Sequence, residues 1–402
     1  MAQATTTAPS PVTAVKTETA ANSQPAKRAR IDSLDIARGV VMVLMAIDHV
    51  RVYSGQPAGG PTAGIFFTRW ITHFCAPAFV FFAGTGAYLY GKKLGNKGAL
   101  AKYLLTRGLM LVVLELTLIR FTWTFNFHYS QFVLAGVIWM LGWCMVMMAA
   151  LIWLPTWANG ALGIAMVLFQ QIFQAIPAHL PESLRNAIAP YYEFLYPAGS
   201  NGPSWIAILY VLIPWIGVMA VGYAFGAIMT YEPARRRKIC LAIGSIATVL
   251  FIIFGLIFLY QAPPPKNPTP ALFRLLNQSK YPPSTLFLLM TLGPMITLVG
   301  LAEHMRGWFA GLLTTFGRVP LFYYLLHIPL IHVTALAIFA LRGGVQSVWF
   351  ATAPFTGVPP ANRWSLGLLY LAYFVDLIIL YFACRWYADV KSRHPKGFLR
   401  YL

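Results

Sequence analysis

The feature that most constrains this 402-residue chain is its succession of apolar runs, each about 20 residues or longer and separated by short polar segments. Wound as an α-helix, a run of that length matches the hydrocarbon core of a bilayer. Only 10% of the residues are charged and 58% are hydrophobic, which is too little polar surface to cover a domain in water. In lipid every backbone N–H and C=O must be satisfied internally, so only helices or a closed barrel remain. The runs lack the period-2 alternation of barrel strands. The sequence therefore predicts an all-α, polytopic integral membrane helical bundle of about ten transmembrane helices, near 34–53, 66–90, 102–124, 131–155, 157–176, 204–230, 239–261, 284–304, 316–341 and 364–387.

Net charge is +19. A basic balance of that size in a soluble chain points to nucleic acid, but no nucleic-acid motif is present, and the lysines and arginines lie in short segments between apolar spans. They follow the positive-inside rule. Lys92, Lys93 and Lys97 follow the second span, Arg235, Arg236, Arg237 and Lys238 follow the sixth, and Lys391, Arg393, Lys396 and Arg400 end the chain. The alternate loops are poor in charge: 125–130 has no Lys or Arg, and 178–203 has only Arg185. The loop at 262–283, with Lys266, Arg274 and Lys280, is the exception. Both termini are expected in the cytoplasm, the chain being a multi-pass protein of the cell's inner (cytoplasmic) membrane with the lipid bilayer as its surroundings. Residues 1–30, rich in Ala, Thr, Pro and Ser without an apolar run, are expected to form a disordered cytoplasmic tail, and 31–402 a single transmembrane domain. Cys75, Cys144, Cys240 and Cys384 read as small buried hydrophobes, not disulfide partners. Gly222 and Gly226, four apart, suit close helix packing. The loops 178–203 and 343–363 are long enough to carry function or to serve only as connectors.

Ionisable residues inside a membrane are costly, so their presence there points to function. The first span carries Asp35, Arg38, Asp48 and His49. Arg38 and His49 are eleven residues apart, about three turns, so they share a helix face while differing in depth by ~16 Å. Asp35, three residues before Arg38, can pair with it. His73, early in the second span, lies at a depth similar to His49, and Pro77 frees a carbonyl beside it. His327 falls near the middle of the ninth span, with Tyr323 and Tyr324 one turn away. A histidine titrates near neutral pH and can act as base or acid. The competing reading for each is structural: a boundary salt bridge for Asp35–Arg38, a snorkelling His49, a core His73 and a tyrosine-bonded His327. No G-x-S-x-G, Walker, H-E-x-x-H or paired-Cys motif is present, which argues against serine hydrolases, P-loop enzymes and zincins. No metal site is expected.

The run from Arg30 to His49, RIDSLDIARGVVMVLMAIDH, resembles the opening of the DUF1624 membrane proteins. The run THFCAPAFVFFAG from Thr72, the run RVPLFYYLLH ending at His327, and the ending from Trp386 continue the likeness over nearly the whole chain from residue 30. DUF1624 is similar to the catalytic domain of heparan-alpha-glucosaminide N-acetyltransferase and, more distantly, to the wider transmembrane acyltransferases. The resemblance implies that 31–402 is a transmembrane acyltransferase-like domain. It also implies that the protein moves an acetyl or acyl group from acetyl-CoA or another acyl-CoA, a co-substrate and not a tightly bound cofactor, to an extracytoplasmic acceptor such as a sugar. Its partners would then be a small-molecule donor and acceptor. His49, His73, Asp48 and His327 are the catalytic candidates, and Arg38, Asp35, Tyr323 and Tyr324 the substrate-binding ones. The sequence departs from the heparan enzyme in lacking a histidine in the loop 54–65 between the first two spans. It carries His49 where that enzyme has asparagine and His73 where it has aspartate. The alternative functions are a proton-coupled transporter or permease and a non-catalytic member of the same family.

Overall fold

A computed structural model describes residues 1–2, 31–60, 62–199, 202–263, 269–342 and 358–393. The chain divides into a unit Met1–Ile31 and a unit Asp32–Leu402. Most of the expected tail (3–30), the greater part of the loop 343–363 and the last residues, 394–402, lie outside the described residues.

The second unit is helical almost throughout. Its helices are α1 (Asp32–Ser54), α2 (Ala63–Leu94), α3 (Lys97–Leu114), α4 (Arg120–Thr124), α5 (Val137–Leu151), α6 (Thr156–Leu168), α7 (Ile172–His179) and α8 (Glu182–Tyr192), followed by α9 (Ile213–Thr230), α10 (Pro233–Gln261), α11 (Ala271–Leu276), α12 (Thr285–Ala302), α13 (Trp308–Arg318), α14 (Pro320–Leu341) and α15 (Leu366–Arg393). Six of these are long and apolar enough to cross a membrane on their own: α2, α9, α10, α12, α14 and α15.

The other four expected spans differ for identifiable reasons. The first is α1, an unbroken helix of 23 residues made polar by its own charges. The third is interrupted by a π-helical turn, Glu115–Ile119, between α3 and α4. The fourth is the shorter apolar helix α5. The fifth bends by 61° between α6 and α7. Within the ninth, the chain breaks at Val319, and Pro320 starts α14 at a position where a missing N–H costs nothing.

α1 is the hub. It packs against α2, α12, α13, α14 and α15, and most of its residues are buried. That explains how its charges are tolerated: they face protein, not lipid. The α1–α13 contact is backbone to backbone. A Cβ on Gly39 would meet the Leu313 carbonyl, and one on Gly317 would meet the Asp35 carbonyl. Gly222 does the same for α9 on α2, where its Cα faces the Phe81 carbonyl, which is the close packing that Gly222 suggested.

At one end of the bundle the basic segments gather. Here Arg236 of α10 holds Glu303, at the end of α12, through Nη2 and Oε2 at 2.5 Å, and Ser33 of α1 donates to the same carboxylate. Thus one of the four charges of the Arg235–Lys238 run is a buried structural partner. At the opposite end, two loops pair through a two-residue parallel bridge, Leu134–Ala135 with Ala207–Ile208. Such irregular backbone fits where it borders a cavity.

Candidate functional site

Between these loops and the last turns of α1 lies a cavity of about 440 Å³, lined among others by Asp48, His49, Arg51, Arg69, Lys280 and Tyr324. A second cavity, of about 330 Å³, opens toward the basic end and is lined by Arg38, Tyr90, Tyr103, Arg107 and Lys391. Three side chains, Phe79, Val137 and Tyr324, line both. The two chambers therefore adjoin at a waist of two aromatic rings and a valine. Arg38 and His49 sit on opposite sides of it, as their spacing along one face of α1 anticipates.

His49 Nδ1 and His327 Nε2 are 2.6 Å apart, with the rings stacked at 4.8 Å. The protons follow from the partners. His327 Nδ1 faces two carbonyl oxygens of its own helix, Tyr324 at 2.6 Å and Tyr323 at 3.1 Å. Carbonyls only accept, so Nδ1 carries the hydrogen and the neutral ring leaves Nε2 bare. His49 must then donate from Nδ1, which leaves its own Nε2 as an unprotonated base. His327 is fully buried, and Trp123 sets its ring edge-on against His49 at 5.0 Å, which restricts the imidazole from a third side.

Asp48 does not hold His49. Its carboxylate binds Arg51 Nε at 3.0 Å and lies 3.6 Å from Arg69 Nη1. His73 does not join the pair either. It sits in a 3-10 turn, Ile71–Phe74, just ahead of Pro77, packs its ring against Phe287 at 5.5 Å, and is not among the residues lining the His49 cavity. The expectation that the two histidines share one cavity therefore gives way to a His49–His327 pair. Tyr323 stacks on His327 at 5.4 Å and is buried away from both cavities, while Tyr324 lines both. Asp35 is buried beside Arg38, with Oδ1 3.5 Å from Nη1, and Arg38 also donates from Nη2 to the Phe82 carbonyl at 3.1 Å.

Glu115, in the π-helical turn, and Arg120, at the start of α4, do not pair with each other. Glu115 Oε2 accepts from the Ile138 and Trp139 amides at 3.0 and 3.3 Å, capping the exposed donors at the start of α5. Arg120 donates to the carbonyls of Phe132 and His128 and so closes the loop over the cavity end. Asp376 accepts from Thr334 at 2.6 Å, joining α15 to α14. Among the described residues, no three His, Cys, Asp or Glu side chains converge as metal ligands.

Sequence reasoning passed over Arg69, Tyr210, Lys280 and Tyr281 as site residues. The one signal available was Lys280, in the loop that broke the positive-inside pattern. In the structure its ammonium stands over the Tyr281 and Tyr210 rings at 5.2 and 5.7 Å, and burial holds the Tyr210 phenol well above its ordinary value.

Compared with known families, residues 30–262, more than half of the chain, match the family described as heparan-alpha-glucosaminide N-acetyltransferase, catalytic. A search of curated proteins finds no match. His327 and Lys280 lie outside the matched stretch.

Proposed function

Because the chain belongs to the heparan-alpha-glucosaminide N-acetyltransferase catalytic family, we propose that this membrane acyltransferase-like protein transfers an acyl group from acyl-CoA to an acceptor across the bilayer, with His49 as the base. The observation that carries this reading is the hydrogen bond between His49 and His327. It fixes one tautomer of His49 and lets its partner share the charge that develops on proton uptake, the task a carboxylate performs in a serine hydrolase triad. Asp48, held by arginines, sets the field around the site and takes no proton.

The basic end faces the cytoplasm in this reading. The phosphates of acyl-CoA stay in the chamber of Arg38, Arg107 and Lys391. The uncharged pantetheine arm passes the waist at Phe79, Val137 and Tyr324 and brings the thioester to His49. An acceptor amine or hydroxyl, such as that of a sugar, enters the opposite chamber. It gives its proton to His49 Nε2 and attacks the thioester carbonyl. The C–S bond breaks, and the thiolate leaves with the proton taken from His49. The products are the acylated acceptor and CoA, with no net change in the protein.

The deciding experiment incubates the purified full chain in detergent with radiolabelled acetyl-CoA and an amino sugar, and counts label in the sugar. Transfer by the wild type, and its loss in His49→Ala with donor binding retained, supports the reading. Label that never leaves CoA, or a fully active His49→Ala, overturns it.

A further inference from the structure

The chamber on the His49 side holds more positive charge than its partners require. Asp48 receives both Arg51 and Arg69. Arg51 is further occupied by the Gln56 carbonyl at 2.8 Å, and Arg69 by the Thr72 hydroxyl at 3.1 Å. The second carboxylate in the wall, Glu115, is engaged by the amides that start α5. Lys280 is left over. It lines the cavity, its residue is only 8% exposed, and among the described residues no carboxylate lies within ion-pairing distance of it. The faces of Tyr210 and Tyr281 are its nearest partners, and Asp48 attracts it only from beyond ion-pairing distance. A buried ammonium with no anion in contact carries a desolvation cost that two ring faces and a more distant carboxylate offset only in part.

The position of Lys280 is also built, not incidental. Lys280 and Pro283 form a backbone bridge, Ser279 Oγ donates to the Pro282 carbonyl at 3.0 Å, and the Ser284 amide donates to the Ser279 carbonyl at 2.9 Å. Ser284 then caps α12, accepting from the Phe287 amide at 3.0 Å. The turn that aims Lys280 is thus anchored to a membrane helix.

We infer that Lys280, backed by Arg51 and Arg69, is a binding site for an oxyanion carried by the acceptor, a phosphate ester, a sulfate ester or a free carboxylate, which it holds while the acceptor's nucleophile faces His49. This deepens the proposed transfer and rests on it for the word acceptor. The charge excess and the fixed turn do not depend on that reading. Three cations against two carboxylates, one of which is committed to the α5 amides, inside a chamber of about 440 Å³ that a sugar-sized ligand can enter, favour an acidic ligand over a neutral one.

The test is calorimetric and needs no turnover. D-glucosamine, D-glucosamine 6-phosphate, inorganic phosphate and acetyl-CoA are each titrated into the full chain in detergent. Wild type is expected to bind glucosamine 6-phosphate at least about tenfold more tightly than glucosamine, in line with a charge-assisted hydrogen bond. Lys280→Gln is expected to erase most of that preference while leaving glucosamine and acetyl-CoA affinities unchanged, and Lys280→Arg to keep it. Equal binding of the two sugars by wild type, or no binding of the phosphorylated one, overturns the site without any variant. Inorganic phosphate bound as tightly as glucosamine 6-phosphate assigns the cations to a free anion and overturns the acceptor role. Weakened acetyl-CoA binding in Lys280→Gln assigns them to the donor's phosphates and does the same. The radiolabel assay reads separately. Transfer without a charge preference removes this site and keeps the enzyme, and a charge preference without transfer does the reverse.

Discussion

His49 on α1 and His327 on α14 meet nitrogen to nitrogen at 2.6 Å, although 278 residues separate them in the chain. The bond ties the N-terminal part of the fold, where the family match lies, to a helix beyond its end.

Breaking that bond tests the tautomer argument. His327→Ala should lower single-turnover transfer about 10²- to 10⁴-fold, the usual contribution of a positioned proton-transfer group. Acetyl-CoA affinity should be unchanged, because His327 lines neither chamber. Wild-type turnover in this variant would remove His327 from the mechanism.

The waist gives a second prediction. Phe79 and Tyr324 border both chambers. Phe79→Trp should slow transfer while leaving the His49–His327 bond and the Arg38 side chain in place. Phe79→Ala should raise activity with butyryl-CoA relative to acetyl-CoA. A ratio unmoved by either change would mean that the donor does not pass this point.

The Arg236–Glu303 pair is buried at both ends, with side chains 10% and 7% exposed. Removing one partner leaves an uncompensated charge, so Glu303→Gln should cost about 3–5 kcal/mol. The melting temperature in detergent would fall accordingly. If Arg236 served only to orient the chain in the membrane, Glu303→Gln would melt like wild type.

Gly317→Ala places a methyl group against the Asp35 carbonyl. Overpacking at such a crossing should cost about 1–3 kcal/mol. It should also weaken donor binding, because Asp35 positions Arg38. Thermal melting and acetyl-CoA titration together read both effects.

Orientation is read by reporter fusions. Those after residue 97 and after residue 236 should report the cytoplasm, and one near residue 190 the opposite side. Inverted signals at both 190 and 236 would reverse the assignment of donor and acceptor chambers.

The sequence announced the polar face of α1, because ionisable residues at i, i+3 and i+14, Asp35, Arg38 and His49, stand out in an apolar helix. It announced the two depths of Arg38 and His49 for the same reason. It could not pair His49 with His327, since contact between distant helices leaves no local pattern. Depth alone suggested His73, but depth does not say which way a ring turns, and the 3-10 turn before Pro77 sends it to Phe287. The span count was too regular, because hydropathy is blind to the π-helical turn in the third span and to the 61° bend in the fifth. Lys280 was visible only as a breach of the charge rule, a signal that names a residue without naming its use.

The π-helical turn at Glu115–Ile119 has a consequence for how this part of the chain can change. Such a turn holds one residue more than the helix around it, so it acts as a phase insertion in the chain from α3 to α4. Everything after it is rotated by about 100° relative to a regular helix. Trp123 meets His49 and Arg120 closes the loop only in that shifted phase. Deleting Leu118 would restore a regular helix and swing both away. A shortening that looks conservative by hydropathy would thus dismantle one wall of the histidine chamber, whereas a conservative exchange of Leu118, exposed on the outer side, would leave it standing.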